Sequence, residues 1–304
     1  MFAKIYQNVN VPVLSHSGAR PRLSLTSDIL SFRHCSYQYG HFAHDGFVPA
    51  QSAQAFFGTM VHQVLDRCHR HFAGLSPRVK KGTLPTDADI EGFFNEVRTA
   101  LKSHGIRAVS ENIAVRALEI IRFFNAVEGP TLYPLIHDTE FRLEQDRADY
   151  VLRGVVDVLV DRPGVTGTAS TREIWDYKGS RRPAATDKEM QEYEWQMCVY
   201  AELYKARSGA YPSKAVLYFL NELSEDNVKT GKRPARAVHE VVFTPQRVQD
   251  ALNRFHQTAM EIIQCASTST WPLPGTKPKE ETCNICDLRW RCPKASVPRR
   301  LPFA

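Results

Sequence analysis

The sequence predicts an α/β protein, and three observations lead there. Apolar residues recur at helical spacing through a block covering about 54–127. From 137 onward the pattern changes to short runs rich in Val, Ile, Tyr, Phe and Trp, which suit strands. Those runs are then interrupted by two long helical stretches, about 185–207 and 245–266. The chain has 304 residues, 43% hydrophobic and 24% charged, which is ordinary globular composition and enough for one large domain or two small ones. A net charge of +6 permits a polyanionic partner without requiring one.

Taken in order, residues 1–22 read as an irregular arm with no signal-peptide core. Ser24 or Thr26 can cap a short helix running to Cys35. GTMVHQVLDRCHRHF sits in a helix over 54–73, followed by a Gly/Pro/Lys connection at 74–85. Thr86 with Asp89 three residues on marks the next helix start, and Ile90, Phe93, Phe94, Val97 and Leu101 follow helical spacing. Another helix covers 108–127. HDTEFRLEQ (137–145), YVLRGVVDVLVDR (150–162) and TREIWDYKG (171–179) read as strands, the last two pairing across a turn-rich loop. Strands at 214–222 and 239–244 flank a polar, basic loop. The tail, 271–304, is rich in proline, cysteine and basic residues. No run of about 18 apolar residues is present to cross a membrane, so a cytoplasmic protein is expected. In that compartment seven cysteines favour metal or cluster binding over disulfides. No GxxxxGK[ST] loop occurs, so the chain should not hydrolyse ATP itself.

Within RGVVDVLVDR, five of the six residues from Val155 to Val160 are apolar and the sixth is Asp157. A buried carboxylate needs a partner. In EIWDYKG, Asp176 and Lys178 are two apart, so both project from one face of a strand. If this strand pairs with 150–162, Asp157 comes beside Asp176, and two carboxylates that close call for a cation. A hard divalent ion, Mg²⁺ or Mn²⁺, takes oxygen ligands. Lys178 can then hold an attacking water or steady charge on a phosphate. A DxK strand is short and common, however, and a lone buried Asp is often satisfied by backbone or arginine. Gln196 and Tyr200 are four apart on a helix, with Tyr193 one turn earlier on the same side, suited to phosphate or water. His62 lies four residues after Gly58 and can supply an imidazole ligand.

In chain order these are GxxxH (Gly58–His62), GxxD (Gly154–Asp157), DxK (Asp176–Lys178) and QxxxY (Gln196–Tyr200). This set resembles the RecB-like branch of the PD-(D/E)XK nuclease superfamily. The resemblance implies a central mixed sheet flanked by helices, a restriction-endonuclease-like core. It implies that His62, Asp157 and Asp176, with the backbone carbonyl of Tyr177, hold the ion. It also implies that Lys178 is catalytic and that Gln196 and Tyr200 support substrate or metal.

The tail contains Cys283, Cys286 and Cys292 as C-x2-C-x5-C. One knuckle is too few for a zinc ribbon, so a fourth ligand must come from elsewhere, and Cys35 is the natural candidate. Cys68, Cys198 and Cys265 are assigned to packing. Within the same branch this spacing resembles the AddB nuclease domain and small CRISPR-associated exonucleases, which implies a structural [4Fe–4S] cluster stapling the N- and C-terminal segments. Ser36 stands where those proteins often have proline. Structural zinc remains the alternative. The resemblance covers about 23–294 as a single domain, with a core at about 137–266 and a cluster segment at about 271–294. It leaves 295–304 as a tail.

For nucleic acid, Arg181 and Arg182 follow the DxK strand, Lys232 and Arg233 lie in the basic loop, and Trp290 sits between cluster cysteines. Tyr193 joins them. The expected activity is a metal-dependent DNA nuclease, preferring single-stranded DNA or ends, in repair or antiviral defence. The alternative is a non-catalytic DNA-end or single-strand-binding module of a helicase complex. With no ATPase motif in the chain, a separate UvrD-type helicase is a plausible partner.

Overall fold

A computed structural model describes residues 20–44, 53–77, 79–108, 110–164 and 170–275, with 278, 282–283, 286–289 and 292–294 in the tail. The chain divides into two compact units. The smaller comprises the segment up to Ala50, Glu144–Arg153 and the chain from Gln249 onward; the larger comprises Gln51–Leu143 and Gly154–Val248.

In the smaller unit a short strand β1 (Arg22–Ser24) runs parallel to the start of β3 (Val151–Arg162). This strand is three residues long, too short for alternation to show in the sequence, where it borders the irregular arm. Ser24 caps the helical turn over Leu25–Leu30, accepting from the Ser27 amide at 3.2 Å. The turns α1 (Ser31–His34) and α2 (Ser36–Tyr39) come next, separated by Cys35 in extended backbone. Asp28 is fully buried but satisfied by the Ser24 amide and hydroxyl and by Tyr39 Oη.

The larger unit begins with α3 (Ala53–Phe72), α4 (Asp87–Ser103) and α5 (Glu111–Leu132), packed on one another. The α4 start has the expected capping box between Thr86 and Asp89. α5 ends five residues later than expected and carries Pro130 in its last turn. With no amide to give the Ala126 carbonyl, Pro130 breaks that bond of the ladder, and the helix ends two residues on. Strand β2 (Ile136–Asp146) pairs with β3. β3 pairs antiparallel with β4 (Thr171–Lys178), β4 parallel with β5 (Lys214–Phe219), and β5 antiparallel with β6 (Val238–Val241). The sheet is therefore mixed, and helices flank it. β5 is shorter than expected because Leu220–Glu222 turns into 3₁₀ helix, and the polar loop holds a short α7 (Glu225–Thr230) with its own capping box.

Met60, Val64, Phe94, Ile120 and Phe124 of the three helices share one core with Val158, Val160, Trp175, Val216 and Tyr218 of the sheet. α6 (Lys188–Ser208) packs against β5, and α8 (Pro245–Thr268) is the last helix of the described residues. Gly154 fixes how closely α6 approaches β3: a Cβ there would lie 2.7 Å from the Tyr200 ring. No helix among the described residues is long and apolar enough to cross a membrane.

Candidate active site

The site forms where β3 and β4 part. Their pairing runs from Arg162↔Thr171 to Val158↔Trp175 and stops there. The next amide on β4 that needs an acceptor belongs to Tyr177, and the Asp157 carboxylate takes it at 2.6 Å. A side chain thus replaces a ladder bond, and the two strands fork. β4 stays paired with β5 through Lys178, so Asp176 and Lys178 sit on a prong held by β5.

Around the fork, His62 of α3 places Nδ1 3.4 Å from Asp157 Oδ1. Lys178 Nζ contacts Asp176 Oδ2 at 2.6 Å and donates to Gln196 Oε1 at 2.7 Å. Gln196 Nε2 in turn donates to Asp176 Oδ1 at 3.2 Å and to Tyr200 Oη at 2.8 Å. Asp176 is 3% exposed, and its Oδ2 makes no directed hydrogen bond despite the ion contact.

One member was missed by sequence reasoning. Glu140 of β2 joins His62 and Asp157 in a group whose ligand atoms all lie within 4.8 Å of one another. Its backbone is left-handed, φ 50°, which a non-glycine residue adopts at a cost of about 1–3 kcal/mol. In an alternating polar strand such as HDTEFRLEQ, nothing local marks this residue; only the backbone irregularity does.

The electrostatics follow from this crowding. Burial would raise Asp157, but the charge and hydrogen bond of His62, the Tyr177 amide and Lys178 hold its carboxyl below the usual range. Asp176 goes the other way: burial and the Asp157 charge raise it, against the pull of Lys178. His62 is opposed by burial, yet Asp157 pushes it up to about 9. Glu140 keeps some solvent access, but loss of hydration at its carboxylate and the nearby Asp157 charge push it up to about 7. Three carboxylates face one small space with one imidazole and one ammonium, an arrangement that fits a divalent cation.

His62, Asp157, Asp176, Lys178, Gln196 and Tyr200 thus come together, and Tyr177 enters through its amide. The tight three-residue group pairs His62 and Asp157 with Glu140, where Asp176 was expected. The expected DNA contacts divide. Arg181 and Lys232 are exposed. Arg182 is tied down by the Val238 carbonyl and His239, and its amide by Glu222. Arg233 is taken by Glu128, at 2.5 and 2.6 Å, so its guanidinium serves the fold where a phosphate contact was expected. Tyr193 turns its ring to Lys178. Trp290 lies outside the described residues. In the smaller unit, Cys35, Cys283, Cys286 and Cys292 line one hollow, and none is in a disulfide. Burial and the neighbouring Cys286 and Cys292 push the Cys35 thiol up, against the Gln38 amide.

No curated protein matches the chain. Among solved structures, one described as "Putative exonuclease" from Eubacterium rectale aligns over 100% of this chain and 96% of its own, at 13% identity and TM-score 0.48. The protein SSO0001 aligns over 88% of this chain and 98% of its own, at 12% identity and TM-score 0.34. The sequence profile of the PD-(D/E)XK nuclease superfamily matches residues 23–293, nearly the whole chain, and the chain belongs to that superfamily.

Proposed function

We propose that this nuclease is a divalent-metal-dependent deoxyribonuclease that acts on single-stranded DNA or DNA ends. The observation that carries the reading is the fork, where Asp157 takes the Tyr177 amide, its charge reaches Asp176, and Lys178 contacts both Asp176 and Gln196. The buried Asp176 Oδ2 without a directed hydrogen bond, and the clustered His62, Glu140 and Asp157, fit Mg²⁺ or Mn²⁺. When bound, such an ion supplies Lewis-acid chemistry at a phosphodiester. Lys178 donates to the charge that builds on the phosphate. Gln196 holds Lys178 and Asp176 in one geometry and is itself fixed by Tyr200. Arg181, exposed beside the strand, is suited to a backbone phosphate. The preference for single strands or ends rests on the RecB-like order of the four motifs, as does a separate helicase partner in repair or antiviral defence.

The direct test is cleavage of end-labelled single-stranded DNA in Mn²⁺ or Mg²⁺. Wild type should cleave and Asp176→Ala should not, and the product ladder gives polarity. Equal inertness with retained DNA binding would favour the binding module. A second expectation concerns protons. With His62 at about 9 and Glu140 at about 7, a cation must displace a proton from His62 at pH 7.5. Calorimetry of Mn²⁺ binding in buffers of different ionisation heat should show release of about one proton. Affinity should rise with pH toward 9 and then flatten, because the proton and the ion compete for the same nitrogen. Proton-neutral binding would remove His62 as a ligand.

For the cysteine hollow the reading is a structural [4Fe–4S] cluster. The four cysteines line one hollow, and Cys35 together with the C-x2-C-x5-C tail supports that reading. Anaerobically purified protein should be brown. Cys35→Ala should lower iron content and folded yield, whereas Cys265→Ala should change neither. A colourless protein holding one zinc would remove the cluster.

A further inference from the structure

Tyr193 has no role in the ion site or its hydrogen-bond network. It belongs to a stripe on α6, since Glu189, Tyr193, Gln196 and Tyr200 come at steps of four, three and four and so share a face. Gln196 and Tyr200 reach toward Asp176 and each other. The Tyr193 ring instead lies beneath Lys178, with Nζ 4.4 Å from its centroid. Its hydroxyl donates to Glu189 Oε1 at 2.5 Å, one turn back on the helix. The ring also meets Phe219 of β5, centroid to centroid at 6.1 Å.

An aromatic face carries negative charge density and attracts an ammonium. Lys178 therefore has three kinds of partner: Asp176 Oδ2 at 2.6 Å, Gln196 Oε1 at 2.7 Å and the Tyr193 ring. Its side chain is 13% exposed. A lysine stem is flexible, and two oxygen acceptors alone leave it room to swing. The ring removes that room because Phe219 packs against it and limits its own swing.

We propose that Tyr193 is a positioning residue for Lys178, and that its ring face, not its hydroxyl, holds the ammonium where a phosphate arrives. This rests on the reading of Lys178 as the group that steadies phosphate charge. It also replaces the expectation that Tyr193 contacts DNA.

The test uses the full chain and two readouts. The first is steady-state cleavage of a single-stranded oligonucleotide in Mn²⁺. The second is the rate at which an amine-reactive ester labels Lys178 in the metal-free protein, read by peptide mass spectrometry. Tyr193→Leu should lower kcat about tenfold with KM unchanged. It should also speed Lys178 labelling several-fold. Tyr193→Phe keeps the ring, and it should recover most of kcat and the wild-type labelling rate. Tyr193→Met replaces the leucine variant if that one does not fold. A phenylalanine variant as impaired as leucine would move the role to the hydroxyl and overturn the proposal. So would a raised KM with kcat intact, the mark of a base contact, or a labelling rate that does not change. Should wild type cleave no DNA, the nuclease reading fails by itself, and the labelling arm still decides the role of the ring.

Discussion

Lys178→Ala should abolish cleavage and leave the divalent ion bound. The loss expected is about 10³-fold, as when a placed donor to developing charge is removed. The ammonium contacts Asp176 and Gln196 and, being protonated, has no lone pair to offer an ion. Its removal takes a positive charge away from two carboxylates, so affinity for Mn²⁺ should stay the same or rise. Asp176→Ala differs, since it deletes a carboxylate and should weaken both cleavage and ion binding. Single-turnover cleavage beside a Mn²⁺ titration separates the two variants. A Lys178→Ala protein that keeps a tenth or more of the rate would show that the lysine only supports the strand.

Arg233→Met should destabilise the fold by about 3–5 kcal/mol, because it strips a buried carboxylate of its partner. Glu128 is 1% exposed and accepts from Arg233 through both oxygens and from Tyr218 Oη at 2.9 Å. Arg233 also lies over Trp175 and Tyr218, and Arg162 over Trp175. The arginine thus fastens the basic loop to α5 and to the sheet. Replacing both partners, as in Glu128→Leu with Arg233→Met, should recover much of the loss, since no charge is left buried. Urea unfolding of the two single variants and the double completes the cycle. A change under about 1 kcal/mol for Arg233→Met, with weakened DNA binding, would return Arg233 to the DNA-contact role.

The fold was legible because its long elements carry long patterns. α3, α4 and α8 repeat at helical spacing over 17 residues or more, and β3 and β4 have dense β-branched and aromatic runs. The fork was partly legible: Asp157 in an apolar run announced a need, and DxK showed which strand could answer. What the sequence hid was non-local. Glu140 acquires its place from one left-handed residue, and Glu128 and Arg233 find each other across 105 positions. Arg182 and Arg233 read as free basic groups because a sequence shows a charge but not the carboxylate or carbonyl beside it. Tyr193 was placed on the right face of its helix, yet which neighbour the ring meets depends on how α6 lies over the sheet.

The groups around the fork ride on strands of unequal stiffness. β4 pairs with β5 from Glu173 to Lys178 and with β3 from Thr171 to Trp175, while β2, among the described residues, pairs with β3 alone. Amides of β4 before the fork should therefore exchange with solvent only when the unit unfolds as a whole, and those of β2 through small, frequent openings. A cation that takes Glu140 together with Asp157 would clasp β2 to β3 through side chains as well as backbone. Part of its binding free energy would go into suppressing those openings, so the ion would set how long the site persists as well as what it can do.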